Sequence, residues 1–137
     1  GLIRLGLDSQ VAQVFEPDLF LPAPGQGALA LETREDDQEL LGLVRSIQHY
    51  QTHVATRAER AFLMALGGGC RAPYGAYASV EGSAVTLTGM VGEASGQRLY
   101  KASASGSASN PEAVADAVYH ALRSQGAGNL IDEIKSE

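Results

Sequence analysis

The stretch YGAYASVEGSAVTLTGMVGEASGQRLYKASAS, residues 74–105, decides the fold of this chain. It contains three strand-like runs, at Tyr74–Val80, Ala84–Val91 and Arg98–Ser105. In the middle run small or apolar residues alternate with threonine and methionine, which is the period of two of a strand with one buried face. The segments EGS and GEASGQ that separate the runs are typical of hairpin turns. We therefore predict a three-stranded antiparallel sheet.

Helical patterns flank these strands on both sides. From about Thr52 to Leu66, apolar residues recur at helical spacing, and three glycines follow. After the strands, Asn110 and Pro111 are a typical helix start and Gly126 a typical stop. The last residues, NLIDEIKSE, predict one more short helix. This order predicts an α+β domain whose small antiparallel sheet is covered on one face by helices.

The first 48 residues are patterned differently. The opening GLIRLGLDSQVAQVF reads as the end of a helical or loop region, and prolines at 17, 22 and 24 then predict irregular chain. The run ALALE, residues 28–32, predicts a short buried strand that pairs with chain outside this sequence. A helix is expected near residues 38–47, after three acidic residues suited to a helix N-terminus. We expect this region to be a piece of a larger body.

Composition excludes several classes of function. The net charge of −6 argues against generic nucleic-acid binding, which needs basic surface. No apolar run approaches the roughly 20 residues of a membrane-spanning helix. The single cysteine cannot form an internal disulfide, and no cluster of Cys and His has zinc-ligand spacing. We expect a cytoplasmic protein without a metal, nucleic-acid or membrane partner.

That cysteine, Cys70, lies in LGGGCRAP, directly after three glycines. Glycines remove side-chain cover and permit positive φ, so a bulky group can approach the backbone here. The neighbouring Arg71 favours the thiolate. No C-x-x-C motif is present, and none of the three histidines has a recognisable hydrolase context. From the residues alone, Cys70 is a buried small residue, a nucleophile or an attachment point.

Three further features are candidates. In PAPGQGALALE, Gly25, Gln26 and Gly27 precede an apolar run. Their backbone N–H groups can face an anion, or these residues form an ordinary turn. In ATRAERAF, Thr56 and Glu59 have capping-box spacing and the arginines suit a solvated helix face. Arg4 is a lone cation among apolar residues. Taken singly, each feature has an ordinary structural explanation.

Together, these motifs resemble one family. The order and spacing of LPAPGQGALALE, ATRAERAFLMALGGGCRAPYGAYA and VTLTGMVGEASGQ strongly resemble the porphobilinogen deaminases, also called hydroxymethylbilane synthases. The resemblance covers essentially the whole chain, but only the C-terminal part of a full-length enzyme. It implies an enzyme that joins four porphobilinogen molecules head to tail, with release of ammonia, to give the linear tetrapyrrole hydroxymethylbilane.

The resemblance also implies roles for particular residues. Growth in this family occurs on a dipyrromethane cofactor held through a thioether to a cysteine, and Cys70 matches that cysteine. The cofactor carries acetate and propionate groups, which suit arginine forks and backbone N–H donors. The implied cofactor-binding residues are Cys70, Arg4, Gln26 and Gly27. The implied structural residues near the site are Gly68, Gly69 and Arg60, the arginine tying the last domain to its neighbours.

The family has three domains, and its pattern divides this chain. Residues 1–17 match the end of domain 2, residues 18–46 a segment returning to domain 1, and residues 47–137 the cofactor-bearing domain 3. The catalytic aspartate of the family lies upstream, so we expect no catalytic residue in this chain and no turnover by it alone. The partners implied are porphobilinogen, the growing oligopyrrole and the missing domains 1 and 2, in a parent protein that we expect to be a monomer.

Two other hypotheses remain open from the sequence. One is a free-standing α+β interaction module without catalytic activity, in which the early strand docks on a partner. The other is a thiol-dependent enzyme that uses Cys70 as a transient nucleophile.

Overall fold

The predicted sheet is present, with nearly the predicted strand bounds. A computed structural model describes residues 1–67 and 73–136. Strands β1 (Tyr74–Glu81), β2 (Ala84–Gly92) and β3 (Leu99–Ser107) form a sheet of order β1-β2-β3. Both pairs are antiparallel, with Leu87 of β2 opposite Ala78 of β1 and Ala104 of β3. The prediction of a three-stranded antiparallel sheet is confirmed.

Four α-helices accompany the sheet in the described part of the chain. They are α1 (Gln38–Ser46), α2 (Tyr50–Ala65), α3 (Pro111–Leu122) and α4 (Gly128–Ser136). The predicted stop at Gly126 is confirmed, because this residue has a φ of 103° inside the turn that separates α3 from α4. A positive φ of this kind is easy only for glycine.

Helices α2 and α3 cover one face of the sheet and enclose the core. The largest fully buried side chains lie on both helices, directly after α2, on β2 and on α4 (Phe62, Leu66, Leu87, Leu122, Ile131, Val54, Val85, Val91, Val118 and Pro111). The other face is lined with hydroxyl groups, which pair across the strands at 2.8 Å between Thr86 and Ser105 and at 2.7 Å between Thr88 and Ser103. This arrangement confirms the α+β domain covered on one face by helices.

Two glycines allow the helices to approach the sheet closely. A Cβ added at Gly89 would lie 2.6 Å from Cζ of Phe62, and one added at Gly106 would lie 2.7 Å from Cγ2 of Val114. Real Cβ atoms do not tolerate such contacts without a shift of the neighbour. Gly89 and Gly106 therefore set the spacing between the sheet and helices α2 and α3.

The start of α2 differs from the prediction. The helix begins at Tyr50, two residues before the predicted Thr52, and the ring of His49 accepts the N–H of Thr52 at 3.4 Å. The predicted capping box of Thr56 and Glu59 is wrong, since Thr56 lies inside the helix and donates to the carbonyl oxygen of Thr52. The spacing of a capping box is only a local pattern, and His49 supplies an earlier acceptor.

The first 48 residues contribute almost nothing to the core. Only Leu21 is buried among them, and α1, although present as predicted, buries no residue. Residues 28–32 form no strand in this structure, since no described residue pairs with them and Leu29 is 93% exposed. That they pair with chain outside this sequence stays a prediction. A strand needs a hydrogen-bonded neighbour, which an apolar run cannot supply by itself.

The salt bridge between α2 and α3 is expected to contribute little to stability. Arg57 Nε and Nη2 donate to the Glu112 carboxylate at 2.9 Å each, but both side chains are more than 40% exposed. Exposed pairs are typically worth less than about 1 kcal/mol. We expect Arg57→Ala to change the free energy of unfolding by less than about 1 kcal/mol in urea denaturation. A larger loss would show that this pair is coupled to the core.

Candidate functional site

The loop that carries Cys70 joins α2 to β1. Cys70, Gly68 and Gly69 lie outside the described residues, so the structure leaves their predicted roles open. The described chain ends before the loop at Gly67, whose φ of 106° is typical of the glycine that closes a helix. It resumes at Pro73, whose carbonyl oxygen accepts the N–H of Gly92 at 2.8 Å. The loop is thus bracketed by the end of a core helix and the start of an edge strand.

The Pro22–Ala28 turn presents Gln26 and Gly27 to solvent. Two backbone hydrogen bonds shape it, from Gln26 N to Ala23 O at 3.0 Å and from Ala28 N to Gly25 O at 3.2 Å. Gly25 and Gly27 have φ of 76° and 86°, a region that other residues rarely adopt. The two glycines are therefore required by the turn itself.

The donors on this turn fit a carboxylate ligand. Gln26 Oε1 accepts the N–H of Ala23 at 3.2 Å, which leaves the Nε2 group of the same side chain as a donor. The N–H of Gly27 donates to no residue in the described ranges, and nothing lies within 4 Å of the Cβ position of Gly25 or Gly27. Open N–H groups of this kind suit the carboxylates of the implied dipyrromethane cofactor.

Glu59 is the residue that sequence reasoning missed. It lies on α2, is only 7% exposed and accepts two backbone N–H groups, from Gly25 at 2.6 Å and from Ala78 at 2.8 Å. We call these two hydrogen bonds the Glu59 bridge. A glutamate at the border of the apolar stripe of a helix was the available signal, because buried carboxylates are rare unless they have partners.

The segment before the turn also contacts β1. Ala76 N donates to Pro22 O at 2.9 Å, and Leu21 is buried. A Cβ at Gly75 would lie 2.9 Å from Cβ of Leu21 and 3.1 Å from Pro22 O, so glycine is needed for this approach. Two N–H groups on the open edge of β1 therefore have acceptors. Ala76 donates to Pro22 O and Ala78 donates to Glu59, and these bonds cover part of that edge.

A cleft of about 500 Å³ lies between the Pro22–Ala28 turn, α2 and β1. Its lining includes Gln26, Gly27, Thr56 and Glu59. Among the lining residues, Tyr77 is the only titratable group besides Glu59. None of these described lining residues therefore presents an opposite charge to the Glu59 carboxylate.

Burial raises the pKa of Glu59 above its usual value of 4.5, and the hydrogen bonds from Gly25 and Ala78 oppose this only in part. A raised folded-state pKa means that the folded protein binds the proton more tightly than the unfolded chain. The contribution of this group to stability is therefore fully present below pH 4.5 and is lost as the pH rises through the raised pKa.

Glu59→Gln is expected to remove this part of the pH dependence, because glutamine does not titrate. Unfolding free energies of both proteins, measured in urea from about pH 4 to about pH 8, should differ by an amount that changes with pH in the window above pH 4.5. A difference that stays constant over the whole range would contradict the raised pKa.

The two predicted arginines lie apart from the Glu59 bridge. Arg4 is exposed on a short 3-10 turn at Ile3–Leu5, and no hydrogen bond joins residues 1–15 to the rest of the described chain. Arg60 is exposed on α2, and its guanidinium has no ion-pair partner in the described ranges. Their predicted roles, in carboxylate binding and domain contact, remain predictions.

The described residues show neither a metal-binding cluster nor a membrane-spanning helix. No group of three or more His, Cys, Asp or Glu side chains in residues 1–67 and 73–136 is arranged to hold a metal ion. Within the same ranges, none of the helices is long and apolar enough to cross a bilayer.

Comparison with known proteins identifies the family. Residues 54–123 match the C-terminal domain of porphobilinogen deaminase, and residues 1–42 match its dipyromethane cofactor binding domain. The porphobilinogen deaminases of Brevibacillus brevis and Nostoc sp. are 44% and 41% identical to this chain over all of its length. The chain spans 44% and 42% of those two relatives. The domain matched by residues 1–42 is named for the dipyrromethane cofactor, which is the cofactor expected from the resemblance. The chain belongs to the porphobilinogen deaminase family.

Proposed function

We propose that this chain is the C-terminal, cofactor-bearing part of a hydroxymethylbilane synthase. Such a transferase joins four porphobilinogen molecules head to tail, with release of ammonia, to give hydroxymethylbilane. Family membership over the full length of the chain is the observation that carries the proposal. The open N–H donors of the Pro22–Ala28 turn, next to the domain that contains Cys70, support it.

Each residue of the proposed site has a distinct role. The Sγ atom of Cys70 forms the thioether that holds the dipyrromethane cofactor, which supplies a pyrrole end for chain growth. Gln26 Nε2 and Gly27 N–H donate to cofactor carboxylates, as does the Arg4 guanidinium once the domains close around it. Cys70 is an anchor and not a nucleophile released at each turnover, because a thioether is stable to hydrolysis.

The domain assignment is part of the proposal. Residues 1–17 complete domain 2, residues 18–46 return to domain 1, and residues 47–137 form domain 3. The near absence of buried side chains before residue 49 supports this division, since an independent domain buries a core of its own. The exposed apolar side chains of Leu29, Leu31 and Phe20 then pack on the upstream domains.

Intact mass and turnover test the function together. When the protein is extended upstream to the length of its relatives and purified, it should consume porphobilinogen and release ammonia. A cytoplasmic extract that contains this extended protein should do the same. The peptide that carries Cys70 should have the added mass of two linked porphobilinogen units. The 137-residue chain alone should show no turnover.

Cys70→Ser is the matched control, because it keeps the size of the side chain and removes the thiolate. We expect no added mass on the peptide and loss of turnover in the extended protein. An extended protein that does not consume porphobilinogen would overturn the proposal, as would full turnover by Cys70→Ser.

The interaction module stays a second candidate because of the exposed apolar side chains before residue 49. Alkylation of Cys70 separates the hypotheses. A thioether makes Cys70 unreactive towards iodoacetamide, a catalytic thiol reacts quickly, and an interaction module tolerates Cys70→Ser without loss of binding.

A further inference from the structure

Three hydrogen bonds join the segment before residue 49 to the C-terminal domain in the described parts of the chain. Its hydrogen bonds to residues beyond 48 are those of Pro22 O, Gly25 N and Asp18 O, within the described parts of the chain. The third partner is the exposed ammonium group of Lys101, whose Nζ lies 2.8 Å from Asp18 O at the end of a long side chain. The other two hydrogen bonds are made at β1 and at Glu59.

Glu59 is the side chain that connects three elements at this contact. Its own backbone belongs to α2, Oε1 accepts from Ala78 of β1, and Oε2 accepts from Gly25 of the Pro22–Ala28 turn. Gly25 precedes Gln26, so the bond at 2.6 Å is made one residue from the donors proposed to face the cofactor. A shift of Gly25 would carry Gln26 and Gly27 with it.

We propose that Glu59 is a positioning residue that holds the Gln26-Gly27 donors at a fixed distance from the helix leading to Cys70. An ionised carboxylate suits this task, because it offers two acceptor oxygens and no donor of its own. A glutamine would accept one N–H and turn its own amide donors towards the other. The part that concerns the cofactor rests on the proposed function, whereas the Glu59 bridge itself does not.

The bridge is tested in the 137-residue chain without any cofactor, by NMR of the backbone amides. In the unmodified chain the amide protons of Gly25 and Ala78 should titrate together, with one shared midpoint. In Glu59→Gln this shared titration should vanish, and hydrogen exchange at Gly25 should become about ten- to a hundredfold faster, as expected for the loss of a hydrogen bond to a charged acceptor. The amide of Leu87, in the central strand, exchanges through global unfolding. Its rate should therefore change only as much as the unfolding free energy changes.

Two variants make the result specific. Glu112→Gln, which neutralises an exposed carboxylate on α3, should leave both amides unchanged. Gly75→Ala places a Cβ against Leu21 and Pro22, so it should speed exchange at Gly25 while Ala78 keeps its bond to Glu59. Independent titration of the two amides, or unchanged Gly25 exchange in Glu59→Gln, would overturn the bridge.

The positioning role is then tested in the extended protein. Glu59→Gln should keep the cofactor mass on Cys70, since the thioether does not involve Glu59, but should lower kcat at saturating porphobilinogen. Normal kcat together with a lost Gly25–Glu59 bond would overturn the positioning role and leave the proposed function intact. Missing cofactor mass in the unsubstituted protein would instead contradict the proposed function.

Discussion

Phe62→Ala is expected to lower the free energy of unfolding by about 3–5 kcal/mol, the usual cost of removing a fully buried phenylalanine. Phe62 is 0% exposed and its ring points end-on at Gly89 in the central strand. The backbone of β2 cannot close the resulting cavity, because it is paired on both sides by β1 and β3. A loss of this size is a large part of the stability of an ordinary domain, about 5–15 kcal/mol.

Met64→Ala is the matched control for this prediction. Met64 lies on the same helix but is 72% exposed, so its truncation should change the unfolding free energy by no more than about 0.5 kcal/mol. Urea denaturation followed by circular dichroism measures both variants. If the two variants lost the same amount, α2 would not pack on the sheet through Phe62.

Gly89→Ala is expected to destabilise the domain by about 1–3 kcal/mol through overpacking. The new Cβ would lie 2.6 Å from Cζ of Phe62 and 2.9 Å from both Cε atoms. Alanine is favoured over glycine in a strand by roughly 0.5–1 kcal/mol, so the sign of the effect depends on this contact. Because the ring is enclosed by the core and β2 is the central strand, neither partner can move away cheaply.

Two comparisons isolate the contact between Gly89 and Phe62. Gly42→Ala, on exposed α1 with nothing within 4 Å of the new Cβ, should be neutral or stabilising. In a Phe62→Leu background, Gly89→Ala should cost less than in the unsubstituted chain, because leucine lacks the ring atoms that it meets. Additive costs in that double-mutant cycle would contradict a direct contact.

The sheet was predictable because its signal is local. The alternation of residues in β2 and the turn segments on both sides fix which residues face the core, and the observed strands differ from the predicted ones by one or two residues at their ends. The helix stop at Gly126 was predictable for the same reason, since it depends on the φ of one residue. In contrast, the run at residues 28–32 has the composition of a strand but no strand partner among the described residues, and pairing is not a local property.

The candidate site divides in the same way. Gln26 and Gly27 stand out through two glycines that the turn requires, and Cys70 stands out through the glycines before it. Glu59 was interpreted as half of a capping box, because its spacing from Thr56 fits that motif. Its real partners, Gly25 and Ala78, are 34 and 19 residues away in sequence, and no local pattern connects them to it.

The sequence by itself therefore determined the three strands, the helices that cover them and the family. These features are encoded by periodicity, by glycine and proline positions, and by motifs read within a short window. The tertiary structure alone decided that Glu59 is buried, that its carboxylate bridges the Pro22–Ala28 turn to β1, and that Gly75 and Gly89 mark close approaches. Each of these depends on contacts between distant segments, whose geometry is set only when the chain packs.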